Sequence, residues 1–195
     1  MRRFRNEFSL LIFVVALWHP VLAAAQQEGS AEQAPARDTP FVLTLNKVVG
    51  LPGQEASLPV LFARKSGAPN VAKLRFRLSY PGSVIEFRRI EDAYLSRRVS
   101  LQIEAKEENP GGKDRTLEVN FSLPDPQGKE FPSGQIATIF FAVAAGAPDQ
   151  VVHLNPQAWI DGAEILPDSP TAQVEPGEVR VSQTPVFVGC FFFTH

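Results

Sequence analysis

An all-β fold, a jelly-roll sandwich of about nine strands, is what this sequence predicts, and three observations carry the prediction. Apolar and polar residues alternate strictly in several short segments, most clearly in KLRFRLSY (73 to 80), where Leu74, Phe76 and Leu78 interleave with Lys73, Arg75 and Arg77. Successive strand side chains point to opposite faces, so such a segment has one core face and one free face. LPGQ, YPGS, NPGGKD, PDPQGK and AGAPDQ punctuate the segments and supply the Pro, Gly, Asn and Asp that turns require. No long segment shows a helical period. The one candidate, IEDAYLSRR (90 to 98), is short and reads as a one-turn connection.

In chain order, MRRFRNE, the apolar run FSLLIFVVALW and Ala23-Ala24-Ala25 form the charged, apolar and small-residue series of a secretory signal over residues 1 to 25. The run falls short of the roughly 20 residues of a membrane span, and Pro20 interrupts it. Residues 26 to 40, QQEGSAEQAPARDTP, lack large apolar groups and read as a disordered linker. Residues 41 to 182 then form one domain of about 140 residues. Its expected strands are 41–49, 55–62, 73–79, 84–90, 101–106, 117–121, 135–144, 150–155 and 178–182. Pro59 lacks an N–H and is expected at an edge or a bulge, which makes 55–62 a peripheral strand. Residues 183 to 195 form an apolar tail or last strand.

Loss of Arg2, Arg3, Arg5 and Glu7 with the leader takes the formal charge from −2 to −4, which speaks against a nucleic-acid partner. Cys190 is the single cysteine, so no internal disulfide supports a chain expected to be secreted, whether periplasmic, cell-surface or extracellular. Catalytic signatures are missing: there is no Gly-x-Ser-x-Gly elbow, no metal-ligand spacing and no Asp-x-Asp-x-Asp-Gly calcium loop. No enzyme activity, no cofactor and no metal are expected, and His153 reads as an ordinary strand residue.

Taken in order, these elements resemble a bacterial cohesin module. VVGLPGQEASLPVLF (48 to 62) is similar to the opening of that module. VAKLRFRLSYPGSVIEF (71 to 87) is similar to its third and fourth strands, where an amphipathic strand ends in Tyr before a Val/Ile-Glu-Phe strand. GQIATIFFAVAAGAPD (134 to 149) resembles its glycine-led seventh strand, and WIDGAEI with PGEVRV (159 to 165, 176 to 181) resembles its end. Pro81 follows Tyr80 where many cohesins carry Asp. The resemblance implies a nine-stranded jelly roll that binds a protein partner, a dockerin or another secreted or envelope protein, through one sheet face in systems that assemble on polysaccharides. Related sandwiches serve as carbohydrate-binding modules, and fold alone does not choose between these roles.

If the cohesin strand order holds, the third, fifth and sixth strands share a sheet, and their outward residues form one surface: Lys73, Arg75, Arg77, Gln102, Glu104, Lys106, Glu118 and Asn120. Such a mixed-charge face suits docking, with arginine the expected anchor. It equally fits a solvated face whose charges offset one another across strands. For glycan stacking the candidate rings are Trp159, Tyr80 and Tyr94, with Trp159 also readable as a core or interface ring. TPVFVGCFFFTH (184 to 195) is either a last strand with Cys190 buried and inert, or an exposed strand that adds to another protein, with Cys190 available for an intermolecular link. Three readings follow: a protein-docking module tied to polysaccharide catabolism, a carbohydrate-binding module, and an envelope component held by its C-terminal strand.

Overall fold

The computed structural model describes residues 39–184; the expected leader, most of the linker and the segment carrying Cys190 lie outside the described residues. In chain order the strands are β1 Phe41–Leu45, β2 Lys47–Gly50, β3 Glu55–Arg64, β4 Lys73–Pro81, β5 Ile85–Asp92, β6 Gln102–Glu108, β7 Asp114–Ser122, β8 Gly134–Val143, β9 Gln150–Leu154, β10 Gln157–Ile160, β11 Ala163–Glu164, β12 Ala172–Glu175 and β13 Gly177–Val181. Among the described residues one helix, α1 Tyr94–Val99, links β5 to β6. All nine expected strands are present. The first is broken at Asn46 into β1 and β2, and β10, β11 and β12 are short strands the periodicity does not signal.

Two five-stranded sheets, β12-β1-β3-β8-β5 and β11-β10-β4-β7-β6, form the layers, with a third sheet, β2-β13-β9, beside them. Alternation decides what lies inside. Leu58, Val60, Phe62, Ile139 and Phe141 of the first sheet are buried, as are Leu74, Phe76, Leu78, Leu117, Val119 and Phe121 of the second. The Tyr80 and Phe141 rings meet edge to face between the two layers at 5.3 Å, a preferred aromatic geometry. Val152, Leu154, Val179 and Val181 of the third sheet join the same core. The domain takes in the residues just before β1: Thr39 is buried with its hydroxyl donating to the Phe41 carbonyl, and the Pro40 carbonyl accepts from the Lys65 N–H at 2.9 Å.

One expectation is corrected. Strand β3, which carries Pro59, is the middle strand of the first sheet rather than a peripheral one. The sheet tolerates the missing N–H because of where it falls. The β1–β3 ladder ends at Leu45 opposite Val60, and the Pro59 carbonyl still accepts from Asn46 at 3.2 Å. In an antiparallel strand a residue's N–H and C=O point the same way, so the Pro59 nitrogen also faces Asn46. The Asn46 carbonyl, left without a donor there, is served instead by the Glu178 N–H of β13 at 3.3 Å. The chain therefore changes partner at Asn46, leaving β3 for β13, and no ladder bond is lost. The register with β8 shifts immediately afterwards, between Val60 and Leu61, which is the bulge a strand proline favours.

The two faces of β4 differ in what they contribute to stability. Phe76→Ala is expected to lower the unfolding free energy by about 3–5 kcal/mol, and Arg75→Ala by about 1 kcal/mol or less. Denaturant melts of the two variants measure the contrast, and equal losses would contradict the assigned faces.

Candidate functional site

The outward face of the second sheet gathers all eight residues expected there. β4 pairs with β7 in unbroken register from Lys73 opposite Ser122 to Pro81 opposite Asp114, and β6 pairs with the other edge of β7. One row across the sheet therefore runs Trp159, Arg75, Asn120, Glu104, and the next runs Gln157, Arg77, Glu118, Lys106. Lys73, Ser122 and Gln102 form a third row. Residues in register on neighbouring strands share a face about 4.8 Å apart, so these rows form a continuous surface.

The two arginines are held differently. Arg77 Nη2 donates to Glu118 Oε2 at 3.2 Å and to Glu108 Oε1 at 3.3 Å, and the Asn120 amide donates to Glu118 Oε1 at 3.3 Å. The Arg77 charge is therefore compensated within the face. Arg75 has no carboxylate partner among the described residues, and its guanidinium lies 4.2 Å from the centroid of Trp159. Stacking on the indole restrains the guanidinium plane and leaves its N–H edge open. Lys73, Arg75, Asn120, Ser122, Trp159 and Gly162 line a shallow depression of ≈ 210 Å³ at this end.

Trp159 reaches the face through the β10–β11 hairpin, which strand periodicity does not reveal because each arm is so short. A local signal is nevertheless present. Asp161-Gly162 is the two-residue loop of a tight hairpin, with φ of 48° and 89°, the conformation in which Asp-Gly is favoured. Asp161 Oδ1 accepts from the N–H groups of Ala72 at 2.9 Å and Lys73 at 2.7 Å, and the Asp161 N–H donates to the Lys73 carbonyl at 2.8 Å. These three bonds tie the hairpin tip to Ala72 and Lys73 at the entry to β4 and so place Trp159 beside Arg75.

The three candidate stacking rings are not brought together. Trp159 is half-buried beneath Arg75, Tyr80 points into the core with 3% exposure, and Tyr94 is 66% exposed on α1. Tyr94 lines a depression with Gln135 and Thr138 of β8, in the other sheet. The expectation of Tyr80 as an exposed ring is therefore overturned: alternation continues through the end of β4 and places Tyr80 in phase with Phe76 and Leu78. His153 is exposed on β9, with Nδ1 3.7 Å from Glu178 Oε1. Among the described residues no group of three or more His, Cys, Asp and Glu is arranged to hold a metal ion. Among them, too, no helix is long and apolar enough to cross a membrane.

No protein-family model matches the chain, and no curated protein matches it in sequence. Solved structures do match. The OlpA cohesin in a cohesin–dockerin complex from Clostridium thermocellum superposes with a TM-score of 0.57 at 14% identity, covering 73% of this chain and 99% of that one. The sixth cohesin of Acetivibrio cellulolyticus scaffoldin B, in complex with a dockerin, gives 0.55 at 19% identity, covering 74% and 100%. A non-cellulosomal cohesin from the archaeon Archaeoglobus fulgidus gives 0.52 at 18% identity, covering 73% and 91%. The chain has the cohesin fold.

Within this cohesin-like sandwich, the buried Tyr80 organises the end of the second sheet. Its O–H donates to Glu107 Oε1 of β6. Arg115 of β7 lies 3.4 Å from the same oxygen and 3.5 Å from Glu86 Oε1 of β5, joining strands of both large sheets. Gly82 leaves room for this cluster, since a Cβ there would stand 2.6 Å from the Gly112 carbonyl oxygen. Burial raises the Tyr80 pKa well above the usual tyrosine value, and the hydrogen bond to Glu107 and that carboxylate's charge raise it further.

The sign of the pH dependence follows. Above pH about 10 the unfolded chain releases this proton while the folded chain keeps it, so folding loses stability as pH rises through that value toward the raised folded one. Tyr80→Phe is expected to flatten this alkaline decline in denaturant melts across about pH 9 to 11, the range bracketing free tyrosine. At neutral pH the same change should cost about 1–3 kcal/mol, because Glu107 loses its donor. An alkaline decline identical in both proteins would rule out Tyr80 as its source.

Proposed function

We propose that this chain is a secreted, non-catalytic protein-docking module whose partner binds the outward face of β4, β7 and β6, with β10 at its margin. Secretion rests on the leader-like residues 1 to 25, and the link to polysaccharide use rests on the resemblance to cohesins. The partner expected on this reading is a dockerin or a protein of similar shape. The observation that carries the proposal is the face itself. Arg75 on Trp159 and Arg77 between Glu108 and Glu118 stand in adjacent rows of a paired sheet. Arginine and tryptophan are the residues most enriched among binding hot spots, and side chains already restrained lose less entropy on association.

Cohesins with the same fold are seen in complexes with dockerins, which supports a protein partner. Pro81 stands where many cohesins carry Asp, so a partner that relies on an acidic group there would need a different contact at this position. Glycan binding is the weaker reading because the candidate rings are spread over three sites. Trp159 lies under a guanidinium, Tyr80 is in the core and Tyr94 is on the other sheet's side.

The test is affinity capture from the native secretome with the immobilised domain, followed by titration of the captured protein. Arg75→Glu/Arg77→Glu and Trp159→Ala are each expected to weaken that complex at least about thirtyfold, in line with hot-spot losses of about 2 kcal/mol or more. Full affinity retained by both variants would remove this face as the site. Sugar binding on a glycan array that disappears with Trp159→Ala would favour the carbohydrate-binding module.

A further inference from the structure

We infer that the protein partner presents a carboxylate side chain, an Asp or a Glu, which seats in the depression beside Trp159 and is held by Arg75 and Lys73. The inference rests on the docking reading and names the chemistry the partner brings to that face.

The depression has the lining of an anion site. Lys73 and Arg75 contribute two cations and Asn120 and Ser122 two hydrogen-bonding side chains, and no carboxylate belongs to the lining. Neither cation has a carboxylate partner among the described residues, and the Ser122 hydroxyl has no hydrogen-bond partner among them. Alternate residues of a strand stand on one face about 7 Å apart, so two long cationic side chains there can converge on one anion.

The acidic groups around Arg75 are distant or already committed. Glu164 of β11 is in register with Trp159, and Glu104 of β6 with Asn120, so each lies two strands away from Arg75. Two strand spacings make about 10 Å, beyond the roughly 8 Å screening length at physiological salt. On the diagonal, Glu118 is held by Arg77 and Asn120. Asp161 Oδ1 is taken by the N–H groups of Ala72 and Lys73. Two cations thus stand together with no carboxylate in contact, whereas Arg77, two residues along the same strand, lies between two.

Size and setting narrow the occupant. At ≈ 210 Å³ the depression is smaller than the roughly 300–1,000 Å³ of small-molecule pockets, and it opens on a sheet face. It suits one side chain reaching down from a protein surface. Asp and Glu are the unmodified side chains that are anionic at neutral pH. Stacking on the indole occupies one face of the Arg75 guanidinium and leaves its N–H edge, whose fork matches a carboxylate with two parallel bonds.

Two measurements test the inference. In the first, side-chain NMR of the protein follows the Nε–H signals of Arg75 and Arg77 and the Trp159 indole N–H during addition of sodium acetate, with sodium chloride at equal ionic strength as reference. Acetate should shift the Arg75 and Trp159 signals at concentrations about tenfold below those that shift Arg77. Equal responses of the two arginines, or no response from either, would overturn the inference. So would tight binding of polygalacturonate that is lost with Arg75→Gln, which would assign the depression to an acidic polysaccharide. The second measurement titrates the captured partner over a series of salt concentrations. Arg75→Gln should weaken the complex about tenfold at low salt and flatten its salt dependence, since an ionic contact is removed. If Trp159→Ala weakens binding while Arg75→Gln leaves the salt dependence unchanged, the docking face stands and the carboxylate is rejected. If neither variant alters affinity, the face is not the site and the inference falls with the docking reading.

Discussion

The antiparallel pairing of β4 with β7, Lys73 to Pro81 against Asp114 to Ser122, is the constraint on which both the core and the candidate face rest. A strand has a period of two, so one choice of register sends Leu74, Phe76 and Leu78 inward with Leu117, Val119 and Phe121, and it simultaneously sends Arg75, Arg77, Glu118 and Asn120 outward. Slipping either strand by one residue would expose those apolar groups at about 1.5–3 kcal/mol each and bury the charges. Such a sum is comparable with the roughly 5–15 kcal/mol of net stability of a whole domain. The hydrophobic core thus does more than hold the fold: it fixes which charged groups face outward, in which rows and at what spacing.

Around this pairing the chain solves two backbone problems by exchanging partners. At Pro59 the absent donor coincides with the point where β1 ends and the Asn46 carbonyl turns to Glu178 of β13. At Asp161 a carboxylate takes the two N–H groups that open β4, while the following glycine completes the hairpin. Both are local arrangements with distant effects. The first lets a proline sit in the middle of a sheet and starts the third sheet; the second carries Trp159 to Arg75. A further cross-layer tie, Arg115 between Glu107 and Glu86, closes the opposite end of β4 near Tyr80.

Much of this was legible in the residues, for reasons that also explain what was not. Long alternating strands such as 73–79 declare both faces, so the core and the eight outward residues could be read without coordinates. Short strands carry too few residues for a period to be visible, and β10, β11 and β12 were therefore missed, Trp159's place beside Arg75 with them. Tyr80, expected as an exposed ring, instead lies in the core. The alternation in fact runs to the end of the strand, and a buried hydroxyl is acceptable there because Glu107 accepts its hydrogen bond. Pro59 sits away from the expected edge because the rule that confines proline to edges presumes a neighbour needing its N–H, and here the Asn46 carbonyl has another donor, Glu178.

A sheet face offers a partner no free main-chain hydrogen bonds, since those groups are consumed by the ladder, so recognition on such a surface must come from side chains. Long cationic side chains are poor anchors when free, because each loses rotamer entropy on being fixed. The arrangement on the second sheet reduces that loss in two distinct ways. Arg77 is restrained by Glu108 and Glu118, so its positive charge is already compensated and a partner can cover it without stranding a lone cation. Arg75 is restrained by an indole and keeps donors unspent. A partner that merely matches the shape of the face would draw little from the first and leave the second unsatisfied. One that offers an acceptor opposite Arg75 and apolar or neutral surface opposite Arg77 would satisfy both. The discrimination between partners therefore resides in the contrast between two neighbouring arginines on one strand, two residues apart, rather than in the total charge of the face.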